Sequence, residues 1–535
     1  MSAEKLRNRF SGLAAKLIVA TAAATVLAAG GIGSEAQGQG LAVSFVRVGN
    51  GGAPFAGDRP LFATISPNRD GFRDAAVVSF RLSRRATVRL EAYETMNREM
   101  SPRLVGRVAR VLGRGQRRLT WRPGARIEPR TYELRLLVDA VLSATAVVRV
   151  MDIDAGFTRE SYGPSQTATL SLSTDAPHLR LRFMRAGPER SPNIFAYGND
   201  ELHGVPAGPE WKVRWTRRMR PGTLRLRLPD GPSGLYFLQL RADDGREGFA
   251  PFVLRPSRIG IHRIAVVFPT HTWQAYNFRD VNGDGLGDTW YAVNAVHAVD
   301  VTRPLLHHGV PTHFRGYQAG FLRWLYQSGK QVDFISDCEL DRLSGARLAR
   351  SYDLIVLLGH HEYMTTQAYD ALTRYRDLGG NLMFTSTTNF LYRVVRHGRW
   401  MIRTQPWRDL GRPEAALIGV EYLHNDFGRH FGSYVVTGRG QAPWAFVGTG
   451  LRDGDRFGKG GIEIDARSAA SPPNTIVLAR MANLQGPGLS AEMTYYTTRS
   501  GAKVFAPGTL NFAGTALWPS MRIFMENIWE HLARP

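Results

Sequence analysis

The sequence predicts a multidomain chain: two β-sandwiches, then an α/β domain built on a doubly wound parallel sheet. Three observations carry that expectation. At 535 residues and 43% hydrophobic, the chain is too long for one core and corresponds to roughly three folded units. Up to residue 256, apolar residues alternate with polar ones in short runs bounded by turns, the period of half-buried strands. From residue 258 onward, strand-like runs alternate with helical ones, the pattern of parallel β-α-β units.

The elements follow in order. Lys5, Arg7 and Arg9 precede an Ala-rich apolar run from Leu17 to Gly33, and Ser34-Glu35-Ala36 then offers small residues at cleavage positions. This order predicts a signal peptide over residues 1–36 and an exported protein, periplasmic or extracellular. Retention of the segment would leave a membrane anchor instead; no later stretch is apolar enough to cross a bilayer. Over 40–150, "AAVVSFRLS", "ATVRLEAYE", "RRLTWRP" and "RTYELRLLVDA" predict a first sandwich. Over 151–256, "TATLSLST", "LRLRFMR", "GTLRLRLP" and "GLYFLQLRADD" predict a second. The α/β domain, 257–535, opens with the strand "IHRIAVVFP". A helix follows in "HFRGYQAGFLRWLYQSG", with Phe314, Tyr317, Phe321 and Trp324 on its apolar face and a stop at Gly329. "QVDFIS", "DLIVLLG" and "NLMFTST" are further strands, with the helix "TTQAYDALTRYRDLGG" between the last two.

The net charge of +22 is spread as arginine through strand-like segments and no nucleic-acid motif accompanies it, which argues against DNA or RNA as a partner. Cys338 is the only cysteine, so stability rests on burial rather than on an internal disulfide.

Open parallel sheets bind ligands beyond the carboxyl ends of their strands. Here those ends carry His271 to Tyr276, Asp337, His360 to Tyr363 and Asn389. The third is the densest: "LIVLLGHHEYMT" runs from a buried strand straight into four groups that bind metals or move protons.

Several segments carry a family resemblance. "TWQAYN", "GFLRWLYQSGKQVDFISDCEL", "YDLIVLLGHHEYMT", "GGNLMFTSTTNFLYRVV" and "MTYYTTRSGAKVFAPGTLNF" together resemble the large (beta) subunit of N,N-dimethylformamidase, over about 260–530. "ISPNRDGFRDAAVVSFRLSRRATVRLEAYE", with "LTWRP" and "PRTYELRL", resembles the immunoglobulin-like module of flagellar-hook capping proteins. The first resemblance implies a glutamine-amidotransferase-like α/β domain that is a metal-dependent hydrolase cleaving the C–N bond of a small amide. It implies a mononuclear iron held by two tyrosinates and a glutamate. Matched by motif, the glutamate is Glu362, the pocket histidine His360, the pocket asparagine Asn389 and the first tyrosinate Tyr276. Tyr291 is the candidate for the second, with Tyr363 as its alternative. A small partner subunit or a homo-oligomer is implied as well. The chemistry stands by itself, because a phenol binds as phenolate only to a strong Lewis acid and hard oxygen donors suit Fe(III).

Other readings compete. His307, His308 and His313 in "HHGVPTH" could join Glu362 in a zinc site of a zinc-dependent hydrolase. A metal-free descendant could use the same rim to bind a ligand or carbohydrate. Asp280, Asn282, Asp284 and Asp288 form a candidate calcium loop with a central glycine, and Asn68 to Asp74 repeats the pattern more weakly. Cys338 lies beside Asp337 and away from "TSTTN", where amidotransferases of this fold carry a nucleophile elbow, so it reads as a packed thiol.

Overall fold

Alternation governs the first half of the molecule. In the computed structural model, which describes residues 42–95, 102–189, 198–199, 201–291 and 296–534, strand Ala76–Leu82 buries Ala76, Val78, Phe80 and Leu82, every second residue. Strand Thr131–Val138 does the same with Tyr132, Leu134, Leu136 and Val138. A three-stranded sheet (Val43–Gly49, Ala76–Leu82, Gly115–Trp121) and a five-stranded sheet centred on Thr131–Val138 contribute to one core, drawn wholly from residues 43–150. The expected signal peptide, 1–36, lies outside the described residues.

Between 151 and 256 a three-stranded sheet (Asp154–Phe157, Thr167–Ser173, Gly222–Arg227) packs on a six-stranded one. The central strand of the larger sheet, Gly234–Ala242, is buried on both faces. Tyr236, Leu238 and Leu240 enter the sandwich core, whereas Leu235 and Phe237 enter the core of the α/β region. Its neighbour Glu247–Leu254 divides likewise, with Ala250 and Phe252 on one side and Phe249 and Val253 on the other.

Beyond 258 lies a nine-stranded sheet. Five strands run parallel in the order Asp333–Ser336, Ile264–Phe268, Leu354–Leu357, Asn381–Phe384, Lys503–Ala506. Their residues are buried on both faces, as parallel strands covered by helices must be. Helices Gly320–Gln327 and Pro519–Ala533 cover one face; Gly345–Ser351 and Thr366–Asp377 cover the other. The expectation of a wholly parallel sheet is corrected here. Four antiparallel strands (Ala491–Thr497, Ile476–Met481, Phe431–Val436, Arg456–Gly461) extend it, and the molecule as a whole is mostly β-sheet, with helix in the minority.

The predicted helix over 313–329 also differs. Its first turn, Arg315–Ala319, is a wider π-helical turn, and the α-helical part starts only at Gly320. A π-turn shifts the helical register by one residue. Phe314, Phe321 and Trp324 still reach the core, but Tyr317 stands against the rings of His313 and His360. Gly329 follows the helix with φ +64°, a left-handed conformation suited to a C-terminal stop.

Candidate active site

After Leu357 the chain leaves the nine-stranded sheet through Gly359. Its φ of +81° and a Gln318 amide that would stand 2.4 Å from any added Cβ make glycine the fitting residue there. His360, His361 and Glu362 follow, all buried, and Tyr363–Thr365 pairs as a parallel strand with Tyr392–His397 in a second sheet. Thr365 then caps the next helix by accepting the amide of Ala368. The His-His-Glu-Tyr run is therefore the bridge between two sheets, and its side chains fill the space between them.

Tyr276 ends the short helix Thr270–Ala275 that follows the first parallel strand. Its hydroxyl oxygen stands 2.8 Å from His360 Nε2 and donates to Glu362 Oε2 at 2.5 Å. His360 donates Nδ1–H to the Thr387 carbonyl at 2.9 Å, which fixes the ring and turns Nε2 toward Glu362 Oε2 at 3.3 Å and Glu463 Oε2 at 3.9 Å. Tyr291 meets Tyr276 edge to face, with ring centroids 4.9 Å apart.

Charge and burial compete in this cluster. Burial alone would lower the His360 pKa, but the hydrogen bond to Glu362 and the charges of Glu463 and Glu362 hold it up at about 9. Burial, and after it Glu362 and Glu463, push the Tyr276 phenol well above its ordinary value. Burial also raises Glu463, against the pull of His360, and lowers His313 to about 4. A cavity of about 560 Å³ opens beside the cluster, lined among others by Tyr291, His313, Tyr317, Phe431, Ile462 and Trp518.

Two residues of this cluster are not visible in the sequence reading. Tyr317 looked like part of an apolar helical face. Glu463 comes from the short strand Glu463–Ala466 and is held by Thr388 Oγ1 at 2.6 Å and Asn425 Nδ2 at 3.0 Å. The signal for it was present: Glu463 and Asp465 alternate with Ile462 and Ile464, and both acids are buried.

Other candidate residues take different roles. Asn389 spends its amide on backbone, accepting from the His361 N–H at 3.0 Å and donating to the Ser386 carbonyl at 2.7 Å, so it clamps two strand-end loops together. His361 sits between Asp337 and the Val267 carbonyl as a structural residue. Tyr363 packs between Trp290 and Tyr392. Burial, and then Glu160 and Glu339, push the Cys338 thiol up to about 12, which leaves it protonated.

The candidate calcium loop closes on itself. Asp280 accepts the amides of Gly283 and Gly285, Asn282 Oδ1 that of Asp284, Asp284 that of Leu286 and Asp288 that of Val281. These turn-type bonds shape the loop through the same side-chain oxygens that the calcium reading names. The loop's outer carbonyls face the first sandwich instead: Arg59 donates to those of Asn282 and Gly283 at 3.0 and 2.9 Å, and Thr95 to that of Gly285. Among the described residues no three of His, Cys, Asp and Glu gather as a metal-holding group. Of the histidines in the zinc reading, His308 is bonded to Asp152 at 2.5 Å, whereas His313 stands against the Tyr317 ring.

Fold and site together define a mostly β-sheet protein of several sheets, with a buried Tyr-His-Glu cluster at the carboxyl ends of parallel strands. Residues 205–517, more than half of the chain, match the family model described as "N,N-dimethylformamidase beta subunit-like, C-terminal", and the chain belongs to that family. It is 23% identical over 392 residues to the N,N-dimethylformamidase beta subunit of Paracoccus aminophilus, covering 54% of this chain and 51% of that one. The beta subunit from Alcaligenes sp. is 22% identical over 391 residues, again covering 54% and 51%. The chain thus spans about half the length of the curated relatives it matches. Among solved structures, trypsin-activated alpha-2-macroglobulin from Escherichia coli gives a TM-score of 0.21 at 10% identity, covering 39% of this chain and 16% of that one. The Yersinia pseudotuberculosis adhesin InvE gives 0.15 at 16%, covering 41% and 61%. Scores this low carry no argument about the fold.

Proposed function

We propose that the protein is an exported amide hydrolase that cleaves the C–N bond of a small amide at the Tyr276 cluster, with iron as its metal. The observation that carries this reading is the contact of one buried tyrosine hydroxyl with both His360 and Glu362, at strand ends inside the family match. The helix-covered parallel strands suit a glutamine-amidotransferase-like catalytic domain over 257–535, and the two sandwiches, 40–150 and 151–256, suit immunoglobulin-like accessory units. Export rests on the residue order of segment 1–36. The relatives are named beta subunits, which favours a further subunit for this chain as well.

The residues fit a bound cation. Glu362 and Glu463 are buried carboxylates, and among the described residues neither forms an ion pair with lysine or arginine, so one histidine faces two acids. Burial, and after it those same acids, push Tyr276 toward the phenol form, and it becomes a phenolate only beside positive charge. Tyr276, Glu362 and either Tyr291 or Tyr317 are the donors that would hold the ion, and hard oxygen donors favour Fe(III). Such an ion, when bound, supplies Lewis acidity for the amide carbonyl and for water. His360, with Nδ1–H held by the Thr387 carbonyl, aims Nε2 into the cluster, where it can pass a proton to the departing amine nitrogen. The Thr387 carbonyl aims that ring, and Asn389 sets the loop that carries it.

The test combines metal analysis with amine release from small formamides. We expect Glu362→Gln to lose metal and activity together and His360→Ala to keep metal while losing on the order of 10²-fold in turnover. Tyr276→Phe should abolish a visible phenolate-to-iron band, and Tyr291→Phe against Tyr317→Phe identifies the second donor. Colourless, iron-free protein from iron-rich culture, or loss of metal in His360→Ala alone, would overturn the reading.

A further inference from the structure

We propose that a second pocket, lined from segments 158–161, 301–302 and 396–399 together with Gln166, Arg255, Cys338 and Arg342, binds a tetrahedral dianion of the phosphate class. Five arginines line this cavity of about 240 Å³: Arg159, Arg255, Arg342, Arg396 and Arg399, with Glu160 the only carboxylate on the wall. None of its lining residues belongs to the Tyr276 cluster.

The charges do not cancel locally. Arg396 pairs with Glu160 at 2.9 Å, Arg255 lies 3.9 Å from Glu339, and Arg399 pairs with Asp300. Asp341 is turned away to Thr365 and His271. Arg159 and Arg342 have no ion pair among the described residues, so the wall keeps an excess of two positive charges facing solvent-accessible space. Arg396 also holds a buried Nε without a hydrogen-bond partner, while its Nη1 donates to Glu160 and His271 Nε2.

Uncompensated guanidinium groups at one cavity make a site for an anion with several oxygens, because each fork donates two parallel N–H bonds. A tetrahedral dianion offers enough acceptors for several forks, whereas a monocarboxylate satisfies one. The arginine-rich composition by itself would spread these charges evenly. The pocket gathers them from four separate segments, which is why no stretch of sequence announces it.

Isothermal titration of the full chain with inorganic phosphate tests the site, with sulfate, phenyl phosphate and acetate as comparison ligands. Saturable binding of phosphate and sulfate is expected, weakened roughly 10-fold or more in the Arg159→Gln/Arg342→Gln double variant, whose changed residues are exposed and leave the fold intact. Phenyl phosphate binding more tightly than phosphate would assign the site to a phosphomonoester; the reverse would assign it to the free ion. Glu362→Gln should bind phosphate as the parent does. No saturable heat up to about 10 mM phosphate, equal binding by the double variant, equal binding of acetate, or loss in Glu362→Gln would each overturn the proposal.

Discussion

The two sandwiches look alike in sequence but differ in what their strands face. The first keeps its core to itself: every residue of it falls within 43–150. In the second, strand Gly234–Ala242 gives Tyr236, Leu238 and Leu240 to its own core and Leu235 and Phe237 to the α/β core. The difference teaches that a sandwich becomes inseparable when a strand loses its polar face. "GLYFLQLRA" shows this directly, since Leu235 to Leu238 is an unbroken apolar run, whereas "AVVSFRL" keeps Ser79 and Arg81 on an outer face.

The sharpest way to break the comparison is to cut it. Protein beginning at residue 258 should be insoluble, because the α/β core loses Leu235, Phe237, Phe249 and Val253. Protein beginning at residue 152 should stay soluble with a cooperative melt. A soluble 258 product, or an aggregated 152 product, would reverse the assignment of the two sandwiches.

Point substitutions sharpen it at smaller cost. Phe237→Ala and Phe80→Ala each empty a fully buried site and should cost about 3–5 kcal/mol in chemical denaturation. They should differ in reach: Phe237→Ala should expose the α/β tryptophans Trp324 and Trp529 earlier, whereas Phe80→Ala should expose only Trp121. Limited proteolysis coupled to mass spectrometry separates the two. If both variants open the whole chain together, the first core is not independent.

The smallest expected effect concerns the seam between the first sandwich and the rest. Gly283 has φ +72°, and a Cβ there would stand 2.8 Å from the Phe62 ring. Gly283→Ala should cost about 1–2 kcal/mol and should show as faster amide exchange in residues 280–288, with the sandwich core unchanged. Unaltered exchange would mean that the loop does not depend on this contact.

What was legible in the sequence follows from periodicity. Strand alternation located the sandwiches, and helical spacing located Gly320–Gln327 and Thr366–Asp377. The strand-end argument pointed to Tyr276, His360 and Glu362, which the fold brings within hydrogen-bond distance. Tyr317 was hidden because one π-turn changes which residues share a face, and a 3.6-residue period cannot show that turn. Glu463 was hidden because it lies about a hundred residues downstream of Glu362 in a region of short strands, and two buried acids alternating with isoleucine read as an ordinary half-exposed strand. The calcium pattern carries two readings in sequence for the converse reason: Asn and Asp at alternate positions satisfy a loop's own amides as readily as a metal.

The loop from Asp280 to Asp288 connects the two tyrosines of the cluster, Tyr276 and Tyr291, and its far side is pinned by Arg59 and Thr95. The first sandwich thereby sets the slack in a tether that runs between two tyrosines of the Tyr276 cluster. The tolerance to which Tyr291 is positioned is set partly in the first hundred residues of the chain. A lesion at Arg59 would present itself at the bench as a misplaced Tyr291 ring in a protein whose melting curve is normal.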